Sequence, residues 1–157
     1  MAPSLGSSLS PSIEITTDLS RIDLDRAHQW LSRKSYWAGQ MPRSVFDQAV
    51  CGSLCFAALM NEATVGFARI ISDRATFAYL SDVFVDPVHR GRGISKAMMA
   101  AIVAHPGLQD LRLWLLATAD AHGLYARYGF TVPASPQRYM ERRDAEVYAR
   151  MAELRQT

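Results

Sequence analysis

Residues 83–96, with the sequence VFVDPVHRGRGISK, constrain the fold of this chain more than any other segment. An apolar strand leads into a proline-containing turn, then into a basic loop with two glycines, and then into a helix. The helix is indicated by apolar residues at positions i, i+3, i+4, i+7 and i+8, which form one buried face: Ile94, Ala97, Met98, Ala101 and Ile102. The segment therefore predicts a strand–loop–helix unit with both glycines at the N-terminus of the helix.

The loop has the composition of an anion-binding site. A helix N-terminus offers free backbone N–H groups and the positive end of the helix dipole. Arg90 and Arg92 add positive charge there, and the guanidinium fork suits phosphate oxygens. We interpret residues 90–95 as a cradle for a pyrophosphate. The simpler alternative is an ordinary strand–helix turn with arginines on the surface.

Two nucleotide-binding patterns do not fit this loop. A P-loop requires G-x-x-x-x-G-K-[ST], and residues 91–96 (GRGISK) lack that spacing. The G-x-G-x-x-G fingerprint needs a glycine at Lys96 and a strand that runs directly into the glycines. A third pattern, [Q/R]-x-x-G-x-[G/A], matches residues 90–94 and departs only at Ser95. In this respect the loop resembles the signature of the GNAT superfamily of acyl-CoA-dependent N-acyltransferases.

A second motif adds to the resemblance. Residues 121–130 (AHGLYARYGF) are similar to the family's A-x-x-L-Y-x-K-x-G-F and follow an apolar strand predicted at 111–117. Taken alone, the motif is also compatible with a helix that ends at a glycine cap, with Phe130 returning to the core. Two motifs in the same order and spacing are more specific than either one. The resemblance covers residues 54–131.

The predicted elements follow the order of the GNAT fold. Strands are predicted at 13–15, 54–60, 65–71, 76–85 and 111–117, with a late strand at Tyr139-Met140. Helices are predicted at 24–31 with Ser20 and Asp23 as caps, at 44–50 with Ser44 as cap, and at 92–105, 120–128 and 145–154. The fold class is mixed α/β, with a mostly antiparallel sheet flanked by helices and one parallel pair joined by a right-handed crossover. The resemblance implies that this parallel pair splays around the cofactor.

The resemblance also implies roles for individual residues. Main-chain groups of Val83, Phe84 and Val85 would pair with the pantetheine arm of acetyl-CoA, and an N–H there could polarise the thioester carbonyl. Tyr125 matches the family tyrosine that can protonate the leaving thiolate, and a buried structural tyrosine is the alternative. Thr118 stands where members often have an asparagine that touches the cofactor. The residues implied to hold the pyrophosphate are Arg90, Gly91, Arg92, Gly93, Ile94 and Ser95.

Acetyl transfer to an amine also needs a proton acceptor. An amine of pKa about 10.4 is neutral in only about one part in 2,500 at pH 7, a penalty of roughly 4.6 kcal/mol. Asp82 is the candidate base, and binding a cationic substrate is its alternative role. Relatives that acetylate polyamines often carry two acids before the apolar triplet, whereas this chain has Ser81 and Asp82. Tyr36 and Trp37 are candidate substrate-binding residues through cation–π contact, and packing on the first helix is the alternative.

Composition sets further limits. A chain of 157 residues with 49% hydrophobic content favours one packed domain, expected at 12–157 after a disordered tail at 1–11. The tail lacks the features of a secretory signal, so we expect a cytoplasmic protein. The net charge of +2 with scattered basic residues predicts no nucleic-acid partner, and the apolar runs are too short for a membrane span. Cys51 and Cys55 have no partners at ligand spacing, so no metal is expected; a homodimer is left open.

The leading hypothesis is an acetyl-CoA-dependent N-acetyltransferase. It would transfer an acetyl group to a primary amine of a small molecule or peptide by direct attack on the thioester. A non-catalytic acyl-CoA-binding or sensing module is the main alternative, and a nucleotide-binding domain is a weaker one. O-acyl transfer also stays open, because the cofactor site does not fix the acceptor atom.

Overall fold

Five strands form one sheet, in the same spatial order as along the chain. The computed structural model describes residues 11–155, so residues 1–10 of the predicted disordered tail lie outside the described residues. The strands are β1 (Ile13–Thr16), β2 (Leu54–Met60), β3 (Ala63–Ser72), β4 (Phe77–Val85) and β5 (Leu113–Leu116). The helices are α1 (Leu24–Lys34), α2 (Arg43–Cys51), α3 (Ile94–Val103), α4 (His122–Ala126) and α5 (Val147–Glu153). Strands β1 to β4 pair antiparallel and β5 pairs parallel to β4, which confirms the predicted fold class.

The sheet is buried on both faces, and strand β2 shows how. Alternate side chains of a strand point to opposite faces. Accordingly Phe56 and Ala58 join a core cluster that includes α3, while Ala57 and Leu59 join a second cluster that includes α1 and α2. A strand buried on both sides reads as a continuous apolar run, as LCFAALM does. The sheet is therefore a middle layer between α3 on one side and the first two helices on the other.

Helix α3 lies unusually close to β3 because residue 66 is glycine. A Cβ at Gly66 would come within 3.1 Å of Met98 Sδ, 3.2 Å of Ile94 Cγ2 and 3.3 Å of Ala58 Cβ. Ile94 is the first residue of α3, so this contact also sets the position of the glycine loop that precedes the helix. The close approach at Gly66 thus links the core to the predicted cradle.

The N-termini of the first two helices differ from the sequence prediction. Asp23 alone caps α1, because its carboxylate accepts a hydrogen bond from Arg26 N at 2.9 Å. Ser20 lies in a separate 3₁₀ turn, Leu19–Arg21. Helix α2 begins directly after Pro42, and Ser44 makes no cap. Because Asp23 stands one residue before α1, its carboxylate can accept a hydrogen bond from a free N–H of the first turn. A second cap at Ser20, three residues earlier, is therefore not needed.

The predicted late strand at Tyr139-Met140 is wrong. Pro136 opens a 3₁₀ turn through Arg138, and Tyr139 N donates to Pro136 O at 3.1 Å. This bond uses the backbone N–H of Tyr139, which a β-strand would need for pairing with a neighbouring strand. Pro136 has no backbone N–H to offer in its place. Residues 139–144 form no helix or strand in the described structure, and α5 follows them in the chain.

We expect the Gly66 approach to be a measurable part of the stability. Gly66→Val should lower the free energy of unfolding by about 1–3 kcal/mol, because α3 must move away from β3. Gly123→Ala is the matched control: it lies in α4, where an added Cβ has no described atom within 4 Å. Alanine should be neutral or slightly stabilising there. Denaturant unfolding of both variants checks this, and equal destabilisation would contradict it.

Candidate active site

The site lies where strands β4 and β5 part. Their parallel pairing runs from Phe77 opposite Leu113 to Leu80 opposite Leu116 and then stops. Residues 83–85 of β4 therefore have no partner from β5, although they still lie beside β3. The gap leaves one edge of a short apolar segment open. Two cavities open on either side of this gap.

The first, which we call the cradle cavity, lies against the glycine loop. It has a volume of about 580 Å³, within the range of small-ligand sites. Gly91 and Gly93 both have φ of +77°, a left-handed conformation that glycine adopts without strain. Helix α3 begins directly after Gly93, so its first free N–H groups lie at this loop. The lining residues that the sequence predicted for the cofactor are Val83, Phe84, Val85, Arg90, Gly91, Gly93, Ile94 and Ser95.

The two arginines of the loop occupy different places. Arg90 lines the cradle cavity, donates from Nε to Val85 O at 3.3 Å, and stacks its guanidinium 5.5 Å from the Phe84 ring centre. Arg92 instead points to Met60, with its guanidinium 3.9 Å from Sδ, and is not a lining residue. Both arginines are exposed, but only Arg90 lines the cavity.

The second cavity, which we call the sheet cavity, lies at the end of the β4–β5 pairing. Its volume is about 570 Å³. Tyr36 and Trp37 contribute aromatic walls from the loop after α1, and Tyr79 contributes a third from β4. Thr118 lines this cavity and not the cradle cavity, and its hydroxyl accepts a hydrogen bond from Ala121 N at 3.0 Å. The charged residues that line the sheet cavity are Asp82, Asp120, Glu141 and Arg143.

The two cavities share one wall, and Tyr125 is part of it. Tyr125 is buried in α4 and its ring lies 6.1 Å from that of Phe130. Burial, with smaller contributions from Tyr36 and Asp120, raises the pKa of Tyr125 to about 12. Its hydroxyl therefore stays protonated at neutral pH. The residues lining both cavities are Tyr36, Trp37, Val83, Asp120, Ala121 and Tyr125.

Asp82 is buried and doubly bonded. Arg69 Nε lies 2.8 Å from its Oδ2, and Trp37 Nε1 donates to its Oδ1 at 3.0 Å. Arg69 is itself anchored by a hydrogen bond from Nη1 to Ser53 Oγ at 2.9 Å. The side chains of Asp82 and Arg69 are 3% and 11% exposed, so this is a buried ion pair. It fixes the position of Trp37 in the cavity wall.

A β-bulge explains how Asp82 reaches Arg69. Phe67 pairs with Phe84 and Arg69 pairs with Ser81, so two residues of β4 stand opposite one residue of β3. Asp82 lies in this bulge with φ of +57°, an uncommon conformation that aspartate tolerates better than most residues. The extra residue reverses the alternation of side chains along the strand. Leu80 therefore packs in the core cluster of α3, while Phe84 packs in the cluster of α1 and α2.

The loop after α1 bridges the two strands that part. Ala119 N, which follows β5, donates a hydrogen bond to Tyr36 Oη at 3.1 Å. Tyr36 meets Trp37 edge-to-face at 4.9 Å, and Trp37 lies 6.5 Å from the ring of Phe84 on β4. Both predicted substrate-binding aromatics thus lie in the cavity walls and do not simply pack on α1.

The sequence analysis missed four aromatic or charged residues that line the sheet cavity: Tyr79, Asp120, Glu141 and Arg143. Asp120 precedes the motif at 121–130, and its position five residues before Tyr125 could have suggested it. Glu141 and Arg143 lie in irregular chain, so neither periodicity nor motif spacing marks them. Another missed residue, His89, lines the cradle cavity, and its buried Nδ1 has no hydrogen-bond partner within residues 11–155.

Across residues 11–155, no group of three or more histidine, cysteine, aspartate or glutamate side chains could hold a metal ion. In the same stretch, no helix has the length and apolar character needed to cross a membrane.

Comparison with known proteins identifies the family. The sequence model of the GNAT acetyltransferase domain matches residues 51–132, which is more than half of the chain and contains both motifs. The chain therefore belongs to the GNAT acetyltransferase family and is a GNAT-type N-acetyltransferase.

Individual relatives agree with this assignment. A crystal structure of a Xanthomonas campestris pv. campestris protein, described as a candidate acetyltransferase of the GNAT family, is 52% identical, with a TM-score of 0.86 over 90% of this chain and 99% of that chain. A candidate acetyltransferase of Gibberella zeae is 28% identical over 72% of this chain and 75% of its own length. An aminoglycoside N-acetyltransferase solved with CoA shares the fold at 18% identity, with a TM-score of 0.60 over 88% of this chain and 98% of that chain.

The buried pair of Arg69 and Asp82 should matter strongly for stability. Arg69→Met should lower the free energy of unfolding by about 3–5 kcal/mol, because it leaves the Asp82 carboxylate buried without a counter-charge. Adding Asp82→Asn should restore part of this loss, since asparagine keeps the shape, tolerates the left-handed backbone and carries no charge. Denaturant unfolding of the two single variants and the double variant measures the coupling. Additive losses would show that the pair does not interact.

Proposed function

We propose that this protein is an acetyl-CoA-dependent N-acetyltransferase that acetylates a primary amine of a small molecule or peptide by direct attack on the thioester. The observation that carries the proposal is the wall shared by the two cavities. Tyr125 and Val83 line both of them. A ligand in the cradle cavity and an amine in the sheet cavity would therefore meet at these residues.

The residues of the cradle cavity fit acetyl-CoA. The loop amides at Gly91 and Gly93 and the first turn of α3 suit a pyrophosphate. The open edge at 83–85 suits the amide-containing pantetheine arm, which would add to β4 as an extra strand does. Arg90 supplies a cation at the same cavity. When bound, acetyl-CoA would supply the acetyl group as an activated thioester.

Tyr125 is the proposed acid at the leaving sulfur. A hydroxyl with a pKa of about 12 is protonated across the working pH range, so it can always donate. Complete proton transfer to a thiolate of ordinary pKa about 8.5 is uphill by roughly 5 kcal/mol. Tyr125 would therefore act mainly by donating a hydrogen bond that strengthens as negative charge develops on the sulfur. Thr118, predicted as a cofactor contact, lies near the start of α4 and helps to place Tyr125 through its bond to Ala121 N.

Asp82 remains the proposed proton acceptor for the amine, and its contacts define a second role. Its two oxygens already accept hydrogen bonds from Arg69 and Trp37. The contact from Trp37 also gives Asp82 the role of holding that ring against the acceptor, and water or another carboxylate of the sheet cavity is the alternative proton acceptor. Asp120 is the carboxylate that lines both cavities.

We propose that residues 12–157 act as one N-acetyltransferase domain, that the protein works in the cytoplasm, and that it uses neither nucleic acid nor membrane as a partner. No residue in either cavity requires a metal for the proposed roles of Tyr125 and Asp82. Both cavities are lined by residues of one chain, so neither needs a second subunit to complete it. The proposed function is therefore compatible with a homodimer as well as with a monomer.

Calorimetric titration with acetyl-CoA tests the cofactor directly. We expect micromolar binding, with ATP and NAD binding much more weakly. Arg90→Ala should weaken acetyl-CoA binding about tenfold, because it removes a charged donor that faces the cavity. Arg92→Ala should have a smaller effect, and Arg33→Ala, on the exposed end of α1, should have none. Absence of acetyl-CoA binding by the wild-type protein would refute the proposed function.

Tyr125→Phe tests the catalytic assignment. We expect kcat to fall about 100-fold or more, while the acetyl-CoA dissociation constant stays near the wild-type value. Because the pKa of Tyr125 is raised to about 12, the wild-type rate should rise as the amine deprotonates and should not fall before about pH 10. Free-CoA release across pH measures both. Unchanged turnover would remove Tyr125 from the mechanism, and acetyl-CoA binding without turnover of any amine would favour the non-catalytic acyl-CoA-binding module.

A further inference from the structure

The charges that line the sheet cavity are not equivalent. Asp82 is already neutralised by Arg69, which lies 2.8 Å away in the buried pair. Asp120, Glu141 and Arg143 also line the cavity, and none of the three takes part in an ion pair within residues 11–155. Two free carboxylates and one free guanidinium thus remain available to a ligand.

The positions of these three residues divide the cavity into two ends. Asp120 lines both cavities, so its carboxylate lies on the side of Tyr125, where the amine must react. Glu141 and Arg143 line only the sheet cavity and come from the irregular segment after the 3₁₀ turn at Pro136–Arg138. Arg143 therefore offers its cation in the part of the sheet cavity that the cradle cavity does not share.

A guanidinium at this position selects against one class of acceptor and for another. It repels a simple diamine or polyamine, whose second positive charge would have to lie beside it. It attracts a carboxylate, which it can bind through two parallel hydrogen bonds. The carboxylate of Asp120, on the side of Tyr125, attracts the ammonium group of the same molecule.

We propose that the acceptor is an amine that also carries a carboxylate, that is, a molecule of the amino-acid class, with Arg143 as the residue that selects the carboxylate. The proposal rests on the proposed N-acetyltransferase function and specifies its substrate. The cavity volume of about 570 Å³ suits a free amino acid or a short peptide end. The aromatic walls Tyr36, Trp37 and Tyr79 favour an acceptor with an apolar or aromatic side chain.

A matched pair of acceptors tests the proposal: phenylalanine and phenylalanine amide, which differ only in the charge of the carboxyl group. The α-amine of the amide is the more acidic, so chemistry alone favours the amide. We nevertheless expect the wild-type kcat/KM, measured from free-CoA release and product mass, to be higher for the acid. Acetyl-CoA binding is measured first by calorimetry.

Two variants assign the preference to Arg143. Arg143→Ala should lower kcat/KM for the acid about 10- to 100-fold, mainly through KM, and should leave the amide unchanged. Arg143→Glu should reverse the preference in favour of the amide. Arg142→Ala is the matched control, since Arg142 is an exposed neighbour that does not line the cavity, and it should change neither value. Thermal unfolding confirms that each variant is folded.

The possible failures are distinguishable. If acetyl-CoA binds but the wild-type enzyme prefers the amide, acetylates neither compound, or loses activity on both equally with Arg143→Ala, then the amino-acid proposal is wrong and the acetyltransferase assignment stands. If acetyl-CoA does not bind, the proposed function itself fails, and the substrate proposal fails with it.

Discussion

The site depends on the buried ion pair between Arg69 of β3 and Asp82 of β4. Asp82 lies in a β-bulge with a left-handed backbone, which an undistorted strand would not contain. A strained residue persists only when its surroundings fix it, and here the 2.8 Å contact with Arg69 and the bond from Trp37 do so. The bulge reverses the alternation of β4, so that Val83 and Val85 pack toward the cluster of α3 while Phe84 packs toward α1. The same feature bends the strand next to the gap where β5 departs.

Close packing on the other face of the sheet sets the cradle. Gly66 lets α3 approach β3, and Ile94 is both a contact at Gly66 and the first residue of the helix. The left-handed conformations of Gly91 and Gly93 then place the loop amides at the helix N-terminus. The cradle is thus positioned by the core, and its anion-binding groups are backbone amides.

This difference explains what could be predicted from the sequence. Glycines with required conformations and an apolar helix face leave a local pattern, so the strand–loop–helix unit at 83–96 and the motif around Tyr125 were recognisable. The bulge at Asp82 left no pattern, because it depends on Arg69, thirteen residues away in the chain and on another strand. The late strand at Tyr139-Met140 was wrong because the 3₁₀ turn that begins at Pro136 uses the N–H of Tyr139. Of the predicted caps, Asp23 of α1 is confirmed, while Ser20 and Ser44 are not caps, since a single aspartate or proline next to a helix can define its start.

The sheet cavity, where the acceptor is proposed to bind, is harder to predict from the sequence. Its walls are made of side chains, and these come from four segments that lie far apart in the chain. Tyr36 and Trp37, the end of β4, the loop before α4 and the segment at 141–143 meet only in the folded protein. Substrate preference in a shared fold therefore lies in residues that no family motif contains. The ion pairs of the folded protein show which charges of this cavity are free for a ligand. Because Arg69 is paired with Asp82, the guanidinium of Arg143 is the cation left to face a ligand among the described lining residues of the sheet cavity, and it favours an acceptor that carries a carboxylate as well as an amine.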